Sequence, residues 1–358
     1  MKSIYIYIYM SFITIVFGTR PEYLKVLPLI RVFQEEKFFP FQVLWIKQHA
    51  AIDIDSSIDV IPIPIQNKSQ YRLEDIGSQI LELLPPYLSS TTHLIVQGDT
   101  ATVFYSSLVA FQQKIQVLHV EAGLRTYSLE RPFPEEAYRQ MVSRMAKMHF
   151  CPHEQSQELL SSEKVQGDIY VVGNTILDLI QSYSLNVTTG NRVLITFHRR
   201  ENWNLILDCI QQINLLVDQY PSLEFVWFLH PNQALQEIVR TNIHKKVRLE
   251  HPMSHKPFAQ EIANCYAILT DSGGIQEEAS FLGKQCIVLR TTTERSHIGF
   301  PYIQTIQRFE DIETIFKTLT PQVLPSCDVY GKGDTSKKIY SILKSQIARV
   351  NSLPSLNA

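Results

Sequence analysis

With 358 residues, 45% of them apolar and 19% charged, the chain is long enough for two hydrophobic cores and too apolar to be disordered or fibrous. Its formal net charge of -2 gives no global field toward nucleic acid or an anionic membrane, so an anionic ligand must be held by locally placed cations. Five cysteines (Cys151, Cys209, Cys265, Cys286 and Cys327) are odd in number and far apart, without zinc or redox spacing. They are expected to be small buried hydrophobes in a reducing, cytoplasmic setting.

Residues 4–17 are apolar and follow Lys2, as a signal-peptide core would, but no small-residue cleavage site follows and the run is too short to span a bilayer. Residues 12–17 are therefore predicted to be a buried strand; the Ile-Tyr repeat at 4–9 has no role in it, and Met10 is a candidate start. Further strands are predicted at 41–46, 93–97, 116–120, 148–151 and 169–172, with helices beginning near Pro21, Arg72, Ala101, Glu135 and Glu154. Gly173-Asn174-Thr175 opens another helix, and the polar residues 186–191 read as a linker. A second series then places strands at 193–197, 224–229, 247–249, 267–270 and 285–289. Its helices span 205–219, follow Pro231 and His255, and start at Gly273. The alternation predicts an α/β chain of two Rossmann-like, doubly wound domains, residues 10–172 and 173–336, facing a central cleft. Ligands of such sheets bind beyond the carboxyl ends of the strands, so that cleft is the expected site.

Four groups of residues carry chemistry. Phe17-Gly18-Thr19-Arg20-Pro21-Glu22 ends the first strand and starts a helix, where unpaired amides beside Arg20 and Lys25 would suit an anion; simple helix capping is the plainer alternative. Asp271-Ser272-Gly273-Gly274 occupies the equivalent place in the second half, followed by Glu277 and Glu278, either of which could accept ribose hydroxyls or simply be solvated. Neither segment is GxGxxG, which weakens a dinucleotide reading. Asp99 and Glu121 follow consecutive strands, and Glu135-Glu136 open the next helix. Such carboxylates can supply an acid and a base for proton transfer at carbon, although acids in a first turn more often complement the helix dipole. His198-Arg199-Arg200-Glu201 and Thr292-Thr293-Glu294-Arg295 close strands with residues suited to phosphate and poorly suited to a core.

Together these segments resemble the bacterial UDP-N-acetylglucosamine 2-epimerases of the non-hydrolysing type. The matching text is FGTRPE at 17–22, QGDTAT at 97–102, HVEAGLRT at 119–126, PFPEEAYR at 132–139, VGNT at 172–175, FHRREN at 197–202, LTDSGGIQEEA at 269–279 and TTERS at 292–296. The resemblance runs collinearly from Phe12 to about Leu343. It implies a glycosyltransferase-B-like fold whose C-terminal helix, about residues 337–349, returns to the first domain. It also implies the reaction: a base removes the C2 proton, UDP leaves anti to give 2-acetamidoglucal, and UDP re-adds as C2 is protonated from the other face. By the same resemblance Asp99, Glu121 and Glu135 are the essential carboxylates, with Lys25 and Arg139 nearby. Arg20, His198, Ser272, Gly273, Gly274 and Arg295 surround the nucleotide, Glu278 holds the ribose, and Phe258 and the backbone near Met253 face the uracil. No cofactor or metal is implied. The partner is the UDP-sugar, a homodimer is expected, and the product would feed surface polysaccharide.

The chain departs from the family pattern in several loops. Ala50-Ala51 follow Gln48-His49 where Arg is usual, and the stretch to Tyr71 is short. Met253 replaces a frequent Gln, Tyr138 a usual Asn, and Ser296-His297 a usual Pro-Glu, while the loop after Asn202 lacks a usual Gly. Some family members carry a second, activating UDP-N-acetylglucosamine. Arg200 and His230 match its contacts, but the loss of polar residues at 50–51 predicts weakened activation. The rival readings are a hydrolysing epimerase, which normally lacks the Thr-Arg-Pro-Glu run at 19–22, a glycosyltransferase of the same fold, and a non-catalytic UDP-sugar-binding protein.

Overall fold

The computed structural model describes residues 11–48, 52–66, 68–290, 295 and 297–352, with the backbone alone at 200, 201 and 348–352. The repeat at 4–9, Met10, His49 to Ala51, residues 292–294 and Ser296 lie outside the described residues, as does the side chain of Arg200.

In chain order, the first set of strands is β1 (Ile13–Phe17), β2 (Phe41–Lys47), β3 (Ile61–Pro64), β4 (His93–Gln97), β5 (Gln116–Val120), β6 (Ala146–Cys151) and β7 (Asp168–Val171). Between and after them run α1 (Arg20–Glu36), α2 (Arg72–Leu83), α3 (Ala101–Gln112), α4 (Glu135–Met145), α5 (Glu154–Ser162) and α6 (Thr175–Ser182). The second set is β8 (Arg192–Thr196), β9 (Glu224–Phe228), β10 (Arg248–Glu250), β11 (Ala267–Thr270), β12 (Cys286–Val288) and β13 (Ile303–Thr305). With it come α7 (Ile206–Gln219), α8 (Gln233–Asn242), α9 (His255–Asn264), α10 (Gly273–Phe281) and α11 (Asp311–Phe316); α12 (Thr335–Ser352) ends the described chain.

The chain forms two compact units, one of residues up to Leu179 with those from Gly331 onward, the other of Ile180–Tyr330. The division thus falls inside α6, later than the expected boundary at 172/173, and the residues at 186–191 that read as a linker belong to the second unit. They are fastened there: the buried Lys284 ammonium donates to the carbonyls of Thr188 (2.5 Å) and Cys265 (3.1 Å).

In the first unit the strands are all parallel in the order β3-β2-β1-β4-β5-β6-β7. Strands β1 and β4 are fully buried, which is why their sequences, ITIVF and HLIVQ, are mostly apolar and do not alternate. β3 was not expected, because Pro62 and Pro64 argue against a strand. It is an edge strand in which both prolines face outward and Ile63 alone is buried. Helix α12 packs on α1, with Tyr340 edge-on to Phe33 at 4.9 Å and its hydroxyl accepting the Phe38 amide at 3.0 Å. Asp178 caps the start of α12 through the amides of Thr335 (2.9 Å) and Ser336 (2.6 Å). Tyr138, where the family has Asn, completes an aromatic cluster with Phe104 and Tyr105 between α3 and α4.

The second unit is parallel in the order β10-β9-β8-β11-β12-β13, over a core that includes Ile195, Ile213, Trp227, Leu269 and Ile287. Its last strand, β13, and α11 lie beyond the elements the sequence pattern marked. Each sheet has one place where the winding direction reverses: between β1 and β4 in the first, between β8 and β11 in the second. A crevice opens at such a reversal because the chains leaving the two strands turn to opposite faces. The segments that follow β1 and β4 are Gly18–Arg20 and Gly98–Thr100; those that follow β8 and β11 are Phe197–Arg199 and Asp271–Gly274. Sheet winding alone therefore puts the four chemically dense segments at the two reversal points.

Candidate active site

In the first unit, β1 runs into Gly18 and Thr19, and α1 begins at Arg20 with Pro21 in its first turn. Glu22 is buried and reaches back to close this turn, accepting the Gly18 amide at 2.7 Å and the Thr19 hydroxyl at 2.9 Å. Burial pushes its carboxyl pKa up despite those hydrogen bonds. Gly18 has no room for a side chain, since a Cβ there would run into Thr102 and Gln48, which are themselves hydrogen-bonded. Arg20 is exposed at the start of α1, and Lys25, one turn further on, is half-buried.

The ends of β4 and β5 carry the carboxylates. The strands pair in register at Gln97 and Val120, and the Gly98 amide continues the ladder to the Val120 carbonyl at 3.0 Å. Asp99 and Glu121 therefore emerge side by side. Glu121 is held at φ +65, a left-handed conformation that costs a non-glycine residue about 1–2 kcal/mol. Its buried carboxylate accepts from the Lys25 ammonium at 2.5 Å and from the Gln97 amide, both on Oε2. Asp99 accepts from Nε and Nη2 of Arg139, each 2.7 Å from Oδ2. Arg139 is buried on α4 and is braced by Glu136 at 3.3 Å. Glu135, the first residue of α4, is half-buried at the same end of that helix. His119, buried on β5 two residues before Glu121, lies 2.7 Å from the Gly98 carbonyl through Nε2, and burial holds its pKa down to about 4.

In the second unit, Asp271 organises the loop after β8. It is fully buried, and its two oxygens accept the His198 and Arg199 amides at 2.8 Å each; Asn202 adds a third donor at 3.2 Å. The His198 ring lies 5.7 Å from that of His230, which in turn packs against Trp203 at 5.4 Å. Burial is the main reason the His198 pKa is lowered, opposed by Asp271 and reinforced by His230. The neutral imidazole keeps an N–H donor to offer an anion. After β11, the Ser272 amide donates to the Thr270 hydroxyl at 3.0 Å and α10 starts at Gly273-Gly274. A Cβ on Gly273 would lie 3.0 Å from the Arg295 guanidinium, whereas one on Gly274 would meet nothing within 4 Å. Arg295 is buried and held by Glu277 at 2.7 Å, so its charge is fixed beside the helix start. Helix-start amides beside an immobile guanidinium are the groups that can hold a phosphate.

Glu278 faces the other way along α10, toward His255 at 3.1 Å. Phe258, on α9, is partly exposed and packs edge-on against Phe228 at 5.0 Å. Met253 is partly exposed in the loop before α9. The sheet order thus gathers Arg20, Lys25, Asp99, Glu121, Glu135 and Arg139 at one end of the first unit. His198, His230, Ser272, Gly273, Gly274, Glu278 and Arg295 gather at the corresponding end of the second. Sequence reasoning gave no role to Gln97 or His255, and it named Glu136 and Asp271 without seeing that they are buried and brace their loops. Asp271 stood inside the DSGG run, and only its burial identifies it as the loop's organiser. Among the described residues no His, Cys, Asp and Glu cluster could hold a metal ion, and no helix is long and apolar enough to cross a membrane.

The sequence model of the UDP-N-acetylglucosamine 2-epimerase family matches residues 37–344. A UDP-N-acetylglucosamine 2-epimerase of Neisseria meningitidis is 37% identical over 312 residues, 78% of this chain and 82% of that protein. One of Campylobacter jejuni is 32% identical over 377 aligned positions, 92% of this chain and 97% of that protein. The crystal structure of a Neisseria meningitidis UDP-GlcNAc 2-epimerase bound to UDP-GlcNAc superposes with a TM-score of 0.85 at 32% identity, covering 94% of this chain and all of that one. The same glycosyltransferase-B-type pair of parallel-sheet domains and the family match over most of the sequence converge: the chain belongs to the UDP-N-acetylglucosamine 2-epimerase family.

Proposed function

We propose that the chain interconverts UDP-N-acetylglucosamine and UDP-N-acetylmannosamine without net hydrolysis, as a cytoplasmic homodimer supplying precursor for surface polysaccharide. The first unit contributes the groups that move protons at C2. One carboxylate of the set Asp99, Glu121 and Glu135 takes the C2 proton as the bond from C1 to the UDP oxygen breaks, giving 2-acetamidoglucal and UDP. UDP re-forms that bond while a carboxylic acid of the set delivers a proton to the opposite face of C2. Lys25 and Arg139 hold two of these carboxylates by direct ion pairs, which fixes their geometry and their charge. The second unit contributes the leaving-group site. Arg295, the start of α10 and His198 favour the negative charge that grows on the departing diphosphate, with Arg20 as a further cation. Glu278 takes the ribose, and Phe258 and the backbone near Met253 take the uracil. The bound UDP-GlcNAc in the Neisseria structure supports the choice of substrate.

The observation that carries this reading is the pair of carboxylates at adjacent strand ends, each with its own cation. Glycosyl transfer to an acceptor needs no proton abstraction at C2 and would leave that pair without work. The test is to incubate UDP-N-acetylglucosamine alone in D2O and follow C2 by NMR. Deuterium at C2 with the sugar still on UDP is expected. Free N-acetylmannosamine and UDP would instead indicate the hydrolysing reaction, and no change without an added acceptor would point to a transferase.

A further inference from the structure

Behind Glu278 stands a short hydrogen-bonded chain that runs through His255 to the half-buried Tyr183. The Glu278 carboxylate is 8% exposed; its Oε1 lies 3.1 Å from Nε2 of His255, and its Oε2 is buried without a hydrogen-bond partner. On the far side of the imidazole, Nδ1 lies 2.9 Å from the hydroxyl of Tyr183, the residue just after α6, and the two rings are 5.6 Å apart. The ammonium of Lys256 sits over the Tyr183 ring at 5.7 Å. A carboxylate can only accept, so Nε2 must carry a hydrogen. With the ring neutral, the tyrosine hydroxyl must then donate to Nδ1. The carboxylate thus sets the tautomer, and Tyr183 fills the Nδ1 acceptor that this leaves, which steadies the ring against Oε1 of Glu278.

We propose that Tyr183 and His255 are positioning residues for nucleotide selection: they fasten Glu278 through Oε1 so that the buried, unpartnered Oε2 is presented to a vicinal diol, the ribose of the nucleotide. The inference rests on the reading of α10 as the nucleotide site and adds to it how ribose is told from 2′-deoxyribose. A buried carboxylate oxygen without a donor is costly, and a ribose hydroxyl relieves that cost where a deoxyribose cannot. A loosely held Glu278 would swing to satisfy both oxygens elsewhere and lose this discrimination.

The experiment measures kcat and KM for UDP-N-acetylglucosamine and its 2′-deoxyuridine analogue, with UDP binding by calorimetry, in Tyr183→Phe, His255→Leu, His255→Gln and the double variant Tyr183→Phe/His255→Gln. Glu278→Gln is the control. His255→Leu removes the donor to Oε1, and KM for the ribose substrate should rise about tenfold with kcat little changed, while the preference over the deoxy analogue shrinks by a similar factor. Tyr183→Phe should show a smaller change of the same kind, about threefold. Glutamine places an N–H near the position of Nε2 and has no tautomer to select, so His255→Gln should restore KM. Adding Tyr183→Phe to it should then cost nothing more, a non-additivity that loss of packing would not produce. Additive losses, or a His255→Leu enzyme with unchanged ribose preference, would overturn the proposal. If Glu278→Gln itself leaves UDP affinity and ribose preference intact, the placement of the nucleotide on α10 fails instead.

Discussion

Replacing Glu121 by Gln exchanges one oxygen for an amide nitrogen in a site with little spare room. Lys25 and Gln97 both donate to Oε2, so the variant can keep an acceptor for them by turning its carbonyl toward that side. What disappears is the negative charge. Removing one partner of a fully buried ion pair costs about 3–5 kcal/mol. Here Lys25 retains 17% side-chain exposure and a neutral acceptor, so about 1–2 kcal/mol is the expected loss of stability. In a unit of roughly 200 residues that is a fall of about 2–8 °C in melting temperature. Turnover should suffer far more. A positioned carboxylate that transfers a proton contributes about 10²–10⁴-fold, and an amide cannot take that proton at all. UDP binding, which the proposed function assigns chiefly to the second unit, should persist within about twofold. Initial rates of epimerisation, deuterium uptake at C2, calorimetric UDP titration and a thermal melt on the same preparation separate these effects. A Glu121→Gln enzyme with near-normal turnover and the predicted stability loss would refute the reasoning, leaving Glu121 as a structural partner of Lys25.

Asp271→Ala strands two buried backbone amides and Asn202, so a loss of about 3–5 kcal/mol is expected in chemical denaturation; Asp271→Asn, which keeps one acceptor, should lose about half as much. Gly274→Ala should leave the melting temperature nearly unchanged, because its Cβ meets nothing, yet weaken UDP binding about tenfold by filling the space a phosphate would approach. A calorimetric titration with unchanged affinity would remove that amide from the phosphate site. Burial holds the pKa values of His93 and His119 at about 4, below the ordinary 6.5. The unfolded chain therefore binds more protons than the folded one between those values, and stability should fall as pH drops from about 6.5 toward 4. Each histidine contributes at most about 3 kcal/mol to that fall, and His119→Gln should flatten the profile.

Much of the architecture was legible because buried parallel strands announce themselves as short, mostly apolar runs without strict alternation. Residues 13–17, 93–97, 116–120 and 267–270 are of this kind, and β1, β4, β5 and β11 occupy them within a residue. The helix starts at Arg72, Ala101, Glu135 and Glu154 were equally readable. β3 was hidden by its two prolines, which only an edge position excuses, and β13 by its three-residue length. The division inside α6 was invisible for a different reason. Polar composition at 186–191 suggested a linker, but Lys284 and residues at the end of α9, through Ala263 and Asn264, hold that segment to the second unit. Strand order was not readable either, and it is strand order that brings Gly18 beside Asp99 and His198 beside Asp271.

The acidic residues show most clearly where sequence reading stops. Asp99, Glu121, Glu135, Glu136, Asp271, Glu277 and Glu278, with Glu22, all look like candidates when they are only letters near strand ends. Burial and donors sort them. Glu22 closes the Gly18-Thr19 turn, Glu136 pins the amides of Thr126 and Tyr127, Asp271 shapes the loop after β8, and Glu277 immobilises Arg295. Each is 3% exposed or less, and each spends its oxygens on the protein's own donors. Asp99 keeps 26% side-chain exposure and is held by one guanidinium, and Glu278 keeps an oxygen without a donor. On the proposed function, loops that meet a pyrophosphate or a sugar carbon within a few tenths of an ångström cannot be shaped by the groups that do the meeting, since those would change partners in every turnover. The second set of carboxylates, sealed from solvent, shapes the loops, and on that reading it is what makes the first set effective.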